Sequence, residues 1–327
     1  MSVREIAAAT GLSVATVSRA LRNDPKVSVA TRERVHAAAK KLGYSHNPYV
    51  GQMMSSLRRR HGSTFRGNMA LVWKNAYPGL DLDARLQQTF DGMRTRAEEL
   101  GYSLNEFDLA ANKPESLRRI LVSRGIRGVL LYMPSFVGNK VRFRMKLDLF
   151  ACVSVGWGLW LPQLDAVRTN YFQMIRLAIH YTDHQFKQKI AAIWDFRTDR
   201  AAHSAGRAAF VIHHPAGPAV ANELFLSWRE LSEPAFAKVV KKHGVRCLLL
   251  GSSVRPPEWL EKYVPAKNWV WFRDPGAVKH LGRIDPQNFL TGQWAVNLLA
   301  SKIQMNDFGV PQHCQNVLVP PRWVPCD

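Results

Sequence analysis

Along residues 3–43, short stretches with small apolar residues at helical spacing are separated by tight breaks. Residues 3–9 (VREIAAA) predict a helix with Ile6 and the alanines inward, broken at Thr10-Gly11. Ser13, whose hydroxyl can accept from an early backbone N–H, opens a second helix over Val14 to Leu21. Ser28 opens a third, where Val35, Ala38 and Leu42 recur at helical spacing until Gly43 stops it. Two short helices joined by a tight Gly-containing turn are a helix-turn-helix. Ala7 supplies the small residue where the helices touch, Gly11 the turn, and Val17 packs inward. The bland alternative is a three-helix bundle without a DNA role.

Beyond residue 62 the pattern changes. Near-continuous apolar runs at 68–73, 128–133, 150–155, 189–194, 246–251 and 269–272 predict strands. They alternate with helical stretches at 83–100, 114–124, 170–185, 203–213, 232–243 and 287–304. The first helix is the clearest, with Leu86, Phe90, Met93, Ala97 and Leu100 in phase and Gly101 as the stop. Strands apolar on both faces, alternating with helices, predict parallel sheets covered on both sides. Two such sheets fit about 265 residues. The predicted class is thus a small all-α helix-turn-helix domain followed by α/β.

Composition adds a partner. The chain has 327 residues, 46% hydrophobic and 21% charged, which excludes a disordered protein. Its formal net charge is +20, favouring a polyanion such as nucleic acid. Residues 1–60 hold 11 Lys/Arg against 3 Asp/Glu, about three times the net charge density of the rest. The run Arg58-Arg59-Arg60 before His61-Gly62-Ser63 marks a boundary. The four cysteines, Cys152, Cys247, Cys314 and Cys326, have no metal-ligand spacing and read as reduced thiols. With no signal peptide and no apolar run near the ~20 residues a membrane span needs, a cytoplasmic protein without a membrane partner is expected.

The ordered set Ile6-Ala7, Gly11-Leu12-Ser13, Ala15-Thr16-Val17-Ser18-Arg19-Ala20-Leu21, Val27-Ser28, Thr31-Arg32-Glu33-Arg34-Val35, Leu42-Gly43-Tyr44 and Asn47-Pro48 resembles the N-terminus of LacI/GalR transcription regulators. In a helix-turn-helix the second helix enters the major groove. Val14 and Ala15, on its first turn, match the family's base-preference positions; both are apolar and can touch a thymine methyl. Arg19 can reach guanine O6 and N7 in a bidentate pair. Ser13, Thr16 and Ser18 carry hydroxyls suited to phosphate oxygens. Arg22 stands where the family commonly has Asn, and Tyr44 and Asn47 join the DNA-contacting set through the same resemblance. Asn47-Pro48 reads as N-cap and first residue of a helix to about Leu57, resembling the family's hinge helix; Met53 matches its minor-groove wedge.

The resemblance also implies a body of periplasmic-binding-protein type, two doubly wound parallel-sheet lobes with a ligand cleft between them. It divides the chain into a DNA-binding domain 1–46, a hinge helix and linker 47–61, and an effector-binding and dimerisation domain 62–327. Lobe one would take about 62–157 and 286–314, lobe two about 158–285 and 315–327. It further implies a homodimer on double-stranded operator DNA and a carbohydrate effector. Ligands of such sheets bind at the carboxyl ends of strands. That places Trp73, Asn75, Tyr77, Tyr132 and Trp157 in lobe one, and Asp195, Arg197, Ser252 and Asp274 in lobe two. Gly206 stands where many members carry a sugar-gripping Arg, so Arg207 or Arg200 is the substitute; Ser252-Ser253 replaces the family's Asn-Asp.

An enzyme is disfavoured by the lack of GxxxxGK, GxSxG, HExxH and GxGxxG, and the pair His213-His214 reads as a surface turn. A nonspecific architectural DNA binder draws weight from the apolar Val14/Ala15 pair, and a constitutive repressor with a vestigial cleft from the two departures. No cofactor and no metal are expected.

Overall fold

The structure, a computed structural model, describes residues 3–21, 27–41, 65–73, 84–109, 111, 113–132, 141–158, 160–251, 256–273, 276 and 279–326. The chain divides into two compact units, Met1–Thr64 and Phe65–Asp327.

The first unit contains α1 (Val3–Thr10), α2 (Val14–Leu21) and α3 (Val29–Lys41). Ile6, Val17 and Val35, one from each helix, are fully buried against one another with Ala7, Ala20 and Ala39. These small residues let three short helices close round a core of a few side chains. Gly11 takes φ +64°, a left-handed turn open to glycine at no steric cost. The Leu12 N–H to Ala7 carbonyl bond, 3.2 Å, closes that turn. The proposed hinge helix, with Met53, lies outside the described residues.

The second unit holds two six-stranded sheets. The first consists of β1 (Gly67–Trp73), β2 (Tyr102–Asp108), β3 (Gly128–Tyr132), β5 (Ala151–Val155), β7 (Asp165–Thr169) and β13 (Asn316–Val319), in the order β13-β7-β5-β3-β1-β2, all parallel. The second consists of β8 (Ile190–Trp194), β9 (Phe225–Ser227), β10 (Cys247–Leu250), β11 (Trp269–Trp271), β12 (Gly282–Asp285) and β14 (Arg322–Pro325), in the order β14-β12-β11-β10-β8-β9, with β14 antiparallel to β12. Short β4 (Val141–Arg142) and β6 (Trp160–Leu161) pair separately. In each six-stranded sheet the first strand to enter lies between the second and the third, and the space outside the carboxyl ends there is the ligand crevice of doubly wound folds. The fold is of the periplasmic-binding-protein type.

Helices cover both faces. On the first sheet, α4 (Ala84–Glu99) and α11 (Asn288–Gln304) bury Phe90, Met93, Val296 and Leu299 on one side, while α5 (Pro114–Ser123) buries Leu117 and Leu121 on the other. On the second sheet, α6 (Tyr171–Phe186) and α8 (Ala205–His213) contribute Ile175, Ala178, Ala209 and Phe210. Every residue of β5, β8 and β10 is buried, which is why those strands read as unbroken apolar runs.

The lobe limits expected from sequence are corrected by the sheet pairing. Residues 165–169 lie in the first sheet, with Ser154 opposite Ala166, and residues 316–319 pair with them, Asn316 opposite Ala166. The crossings between sheets therefore fall after 169, between 285 and 288, and between 319 and 322, rather than at 157/158 and 314/315. Asp165, Arg168, Thr169 and Asn316 interrupt the apolar runs that would have announced these strands. Lys302 of α11, 3% exposed, ties them together: its ammonium donates to Asp165 Oδ2 at 2.5 Å and also to Asp307, while the Gln315 N–H donates to Asp165 Oδ1 at 2.8 Å. Burial pulls the Lys302 ammonium down and the two carboxylates more than restore it, so its pKa ends above the ordinary value.

Two local readings also change. The helix expected over 203–213 starts at Ala205, because His203 and Ser204 both take φ 57°, off the helical region. His214 is buried, not part of a surface turn. Its Nδ1 accepts from the Ala216 N–H, which makes Nε2 the donor to the Ile190 carbonyl, 2.9 Å away. Burial moves its pKa below the ordinary value.

Candidate functional sites

In the N-terminal unit, the Ser13 hydroxyl accepts from the Thr16 N–H at 3.1 Å and shares a 2.8 Å hydrogen bond with the Thr16 hydroxyl. Ser28 and Thr31 repeat this arrangement at the start of α3. Ser13 thus serves first as the cap of α2, and its claim on a phosphate is secondary. Val14 is 47% exposed and Arg19 is exposed, five residues on along the same helix, while Thr16 is half-buried. Ala15 and Ser18 fall within α2. The Arg34 guanidinium donates to the Thr10 carbonyl at the end of α1, fixing α3 to the turn through a cation at a helix C-terminus. The sequence shows Arg34 as part of the N-terminal signature but not this contact. Arg22, Tyr44, Asn47 and Met53 lie outside the described residues.

In the second unit the expected cleft residues fall into separate groups. Trp73 and Tyr132, adjacent in register, stand on either side of Phe90, with ring centroids 6.2 and 5.4 Å away in edge-on geometry. At the corresponding place in the second sheet, Trp194 fills the space itself: it is 3% exposed, 4.8 Å from the Phe272 ring, and lies close over Gly251. Asp195 is buried and its Oδ2 accepts from the Arg229 guanidinium at 3.1 and 3.3 Å. Arg197 falls in the short helix α7 (Phe196–Ala201). Arg207 is exposed and reaches Asn222 at 3.1 Å, with its guanidinium 5.7 Å from the Phe196 ring. Asn75, Tyr77, Ser252 and Asp274 lie outside the described residues.

Gly206 has its own reason to be glycine. A Cβ there would sit 2.9 Å from Asp199 Oδ1, the atom that accepts the Gly206 N–H at 2.9 Å and the Arg207 N–H at 3.3 Å. Asp199, 4% exposed, thereby satisfies the first turn of α8. Burial raises its carboxyl pKa above the ordinary value, against the pull of those two N–H groups and the Arg207 charge. No Arg can occupy position 206 while this cap is made.

Trp157 stands apart from the other expected residues. Its indole N–H donates to the Thr169 carbonyl at 2.9 Å, its ring lies 6.0 Å from Tyr171 and 5.8 Å from His203, and the Arg168 guanidinium sits 4.9 Å from its centroid. Trp157, Arg168 and His203, together with Ser154, Cys314 and Asn316, border a cavity of about 320 Å³. His203 comes from the second lobe and the others from the first. Sequence reading named Trp157 here and missed the rest; the available signal was an Arg inside the strand DAVRT.

Residues 2–47 match the model of bacterial regulatory proteins, lacI family. The N-terminal unit is thus similar to that family. The chain is 49% identical over 149 residues to the HTH-type transcriptional repressor CytR of Escherichia coli (strain K12), covering 45% of the chain and 38% of CytR. It is 25% identical over 197 residues to the maltose regulon regulatory protein MalI of the same organism, covering 58% of the chain and 53% of MalI. The matches thus span about half the length of these relatives or less. A putative ribose operon repressor from Burkholderia thailandensis shares the fold, with 17% identity, a TM-score of 0.51, and 80% and 99% of the two chains covered.

Proposed function

We propose that this protein is a cytoplasmic, sequence-specific DNA-binding regulator, a repressor that binds a near-palindromic double-stranded operator as a homodimer under the control of a small molecule between its lobes. The observation that carries this reading is α2, the second helix of a lacI-family module, presenting Val14 and Arg19 to solvent. Arg19 reads guanine through a bidentate pair, Val14 and Ala15 touch a thymine methyl, and the hydroxyls of Thr16 and Ser18, with Arg22, Tyr44 and Asn47, meet the backbone. Met53, on the hinge segment, acts as the apolar wedge that kinks the operator centre. The ligand favours one arrangement of the lobes and so shifts the population between DNA-competent and incompetent states. A relative named for the maltose regulon supports a carbohydrate effector.

A nonspecific architectural binder is the second reading, favoured by an exposed apolar Val14 at the start of α2. Arg19→Ala separates the two. A good bidentate pair is worth about 1–3 kcal/mol of discrimination, or roughly fivefold to 150-fold. The variant is expected to lose that much preference for operator over random duplex in competition assays, while its low-salt affinity for random DNA holds. Unchanged preference would remove Arg19 as the reader.

A further inference from the structure

The strand β7 carries a half-buried arginine next to its carboxyl end. Arg168 projects to the cavity of about 320 Å³ beside Trp157, at the small end of ligand pockets, which span about 300–1,000 Å³. Its Nε is buried and makes no hydrogen bond. Among the described residues no carboxylate pairs with it. The nearby acid, Asp165, is already committed to Lys302 and the Gln315 N–H. The acidic group next to it is the Cys314 thiol, and burial together with Asp165 raises that thiol above its ordinary range, so it supplies no negative charge. Burial also lowers the Arg168 pKa, yet a guanidinium stays charged in proteins. The contact with the Trp157 face, 4.9 Å, holds the group but leaves Nε without an acceptor. Arg168 is half-buried, with its Nε out of reach of water and no counter-charge beside it, and an anion entering the cavity relieves that partial cost.

The other walls fit the same occupant. His203 brings a ring nitrogen from the second lobe, Ser154 and Asn316 bring small polar groups from the first, and the Trp157 ring gives an apolar face. His203 and Ser204 are held at φ 57°, a conformation that costs non-glycine residues of order 1–3 kcal/mol each. The bonds from the Ser204 N–H to the Asp199 carbonyl, 2.7 Å, and from Gly206 to the Asp199 carboxylate hold that turn in place.

We propose that this cavity binds a small molecule bearing a carboxylate or phosphate group, whose acid pairs with Arg168 and whose body lies against Trp157 and His203. The inference rests on the proposed regulator for its role, since it names the acid group of the controlling ligand, but its site is argued from geometry alone. A ligand here contacts both lobes, as control through their arrangement requires.

The test is calorimetric titration of the full chain, without DNA, at constant ionic strength. Inorganic phosphate and D-gluconate are the probes, with D-glucose as the neutral control. Saturable binding of at least one anion is expected, phosphate or gluconate indicating which acid the site prefers, with none for glucose. Arg168→Gln is expected to weaken binding by about tenfold or more. His203→Ala, at an exposed position, is expected to weaken it severalfold. Without ligand, Arg168→Gln should melt no lower than the parent, because it removes an uncompensated charge; a purely structural Arg168 predicts a lower Tm. The proposal is overturned if neither anion saturates, or if both variants bind as tightly as the parent. A chain that selects no operator yet binds an anion through Arg168 fails the regulator reading alone. One that selects an operator and ignores both anions fails this proposal alone.

Discussion

At the scale of single residues, burial separates groups that look alike in sequence. Asp195 and Asp199 are four residues apart and both buried, but one is held by a guanidinium and the other by backbone N–H groups. The raised pKa of Asp199 has a sign that can be measured. The folded chain favours the protonated carboxyl, so this group's contribution to stability falls as pH rises from the ordinary carboxylate range through the raised folded-state value. Asp199→Asn keeps an oxygen acceptor for Gly206 and Arg207 without the buried charge. Urea unfolding should find it at least as stable as the parent at neutral pH, with its relative advantage shrinking as pH falls towards 4. Asp199→Ala should lose about 1–2 kcal/mol at any of these pH values, because the first turn of α8 is left uncapped. An Asn variant as damaged as the Ala variant would contradict this account. Such roles were not legible beforehand: Gly206 looked like a missing ligand-gripping Arg, and only the geometry shows it as the donor that Asp199 requires.

At the scale of elements, the hydrophobic pattern was informative wherever both faces of a strand are buried. The runs GVLLY, ACVSV, IAAIW and CLLL show as strands because nothing polar is tolerated in them. The strands YSLNEFD, DAVRT and NVLV went unread because exposed edges and polar side chains break the pattern. The helices α4 and α11 were legible from their periodicity, and Ser13 was legible as a cap because capping is local. The link between α11 and the end of the first sheet was not, since Lys302 and Asp165 are 137 residues apart. Lys302→Met removes one partner of a buried pair and leaves Asp165 unpaired. Chemical denaturation should show a loss of about 3–5 kcal/mol. A loss below about 1 kcal/mol would mean that water reaches Asp165 and that the pair does little to hold the lobe.

At the scale of the molecule, a short helical unit and a larger body of two like-ordered sheets were both visible in the sequence, through a long N-terminal signature and alternating elements. The lobe limits were not, because the chain crosses between sheets at points set by pairing partners far apart in sequence. Nor was the basic cavity: it is assembled from β5, β7, the segment before β13 and a turn of the second lobe, none of which announces the others. The account's central claim is that the chain recognises particular DNA sequences. The most direct test is selection of the purified full chain against a random duplex library at near-physiological salt. The account predicts enrichment of a near-palindrome with a fixed centre, guanine in each half-site opposite Arg19, and affinity at least about a thousandfold above that for random duplex. Strong binding that enriches no sequence would contradict it and leave a nonspecific DNA-binding protein.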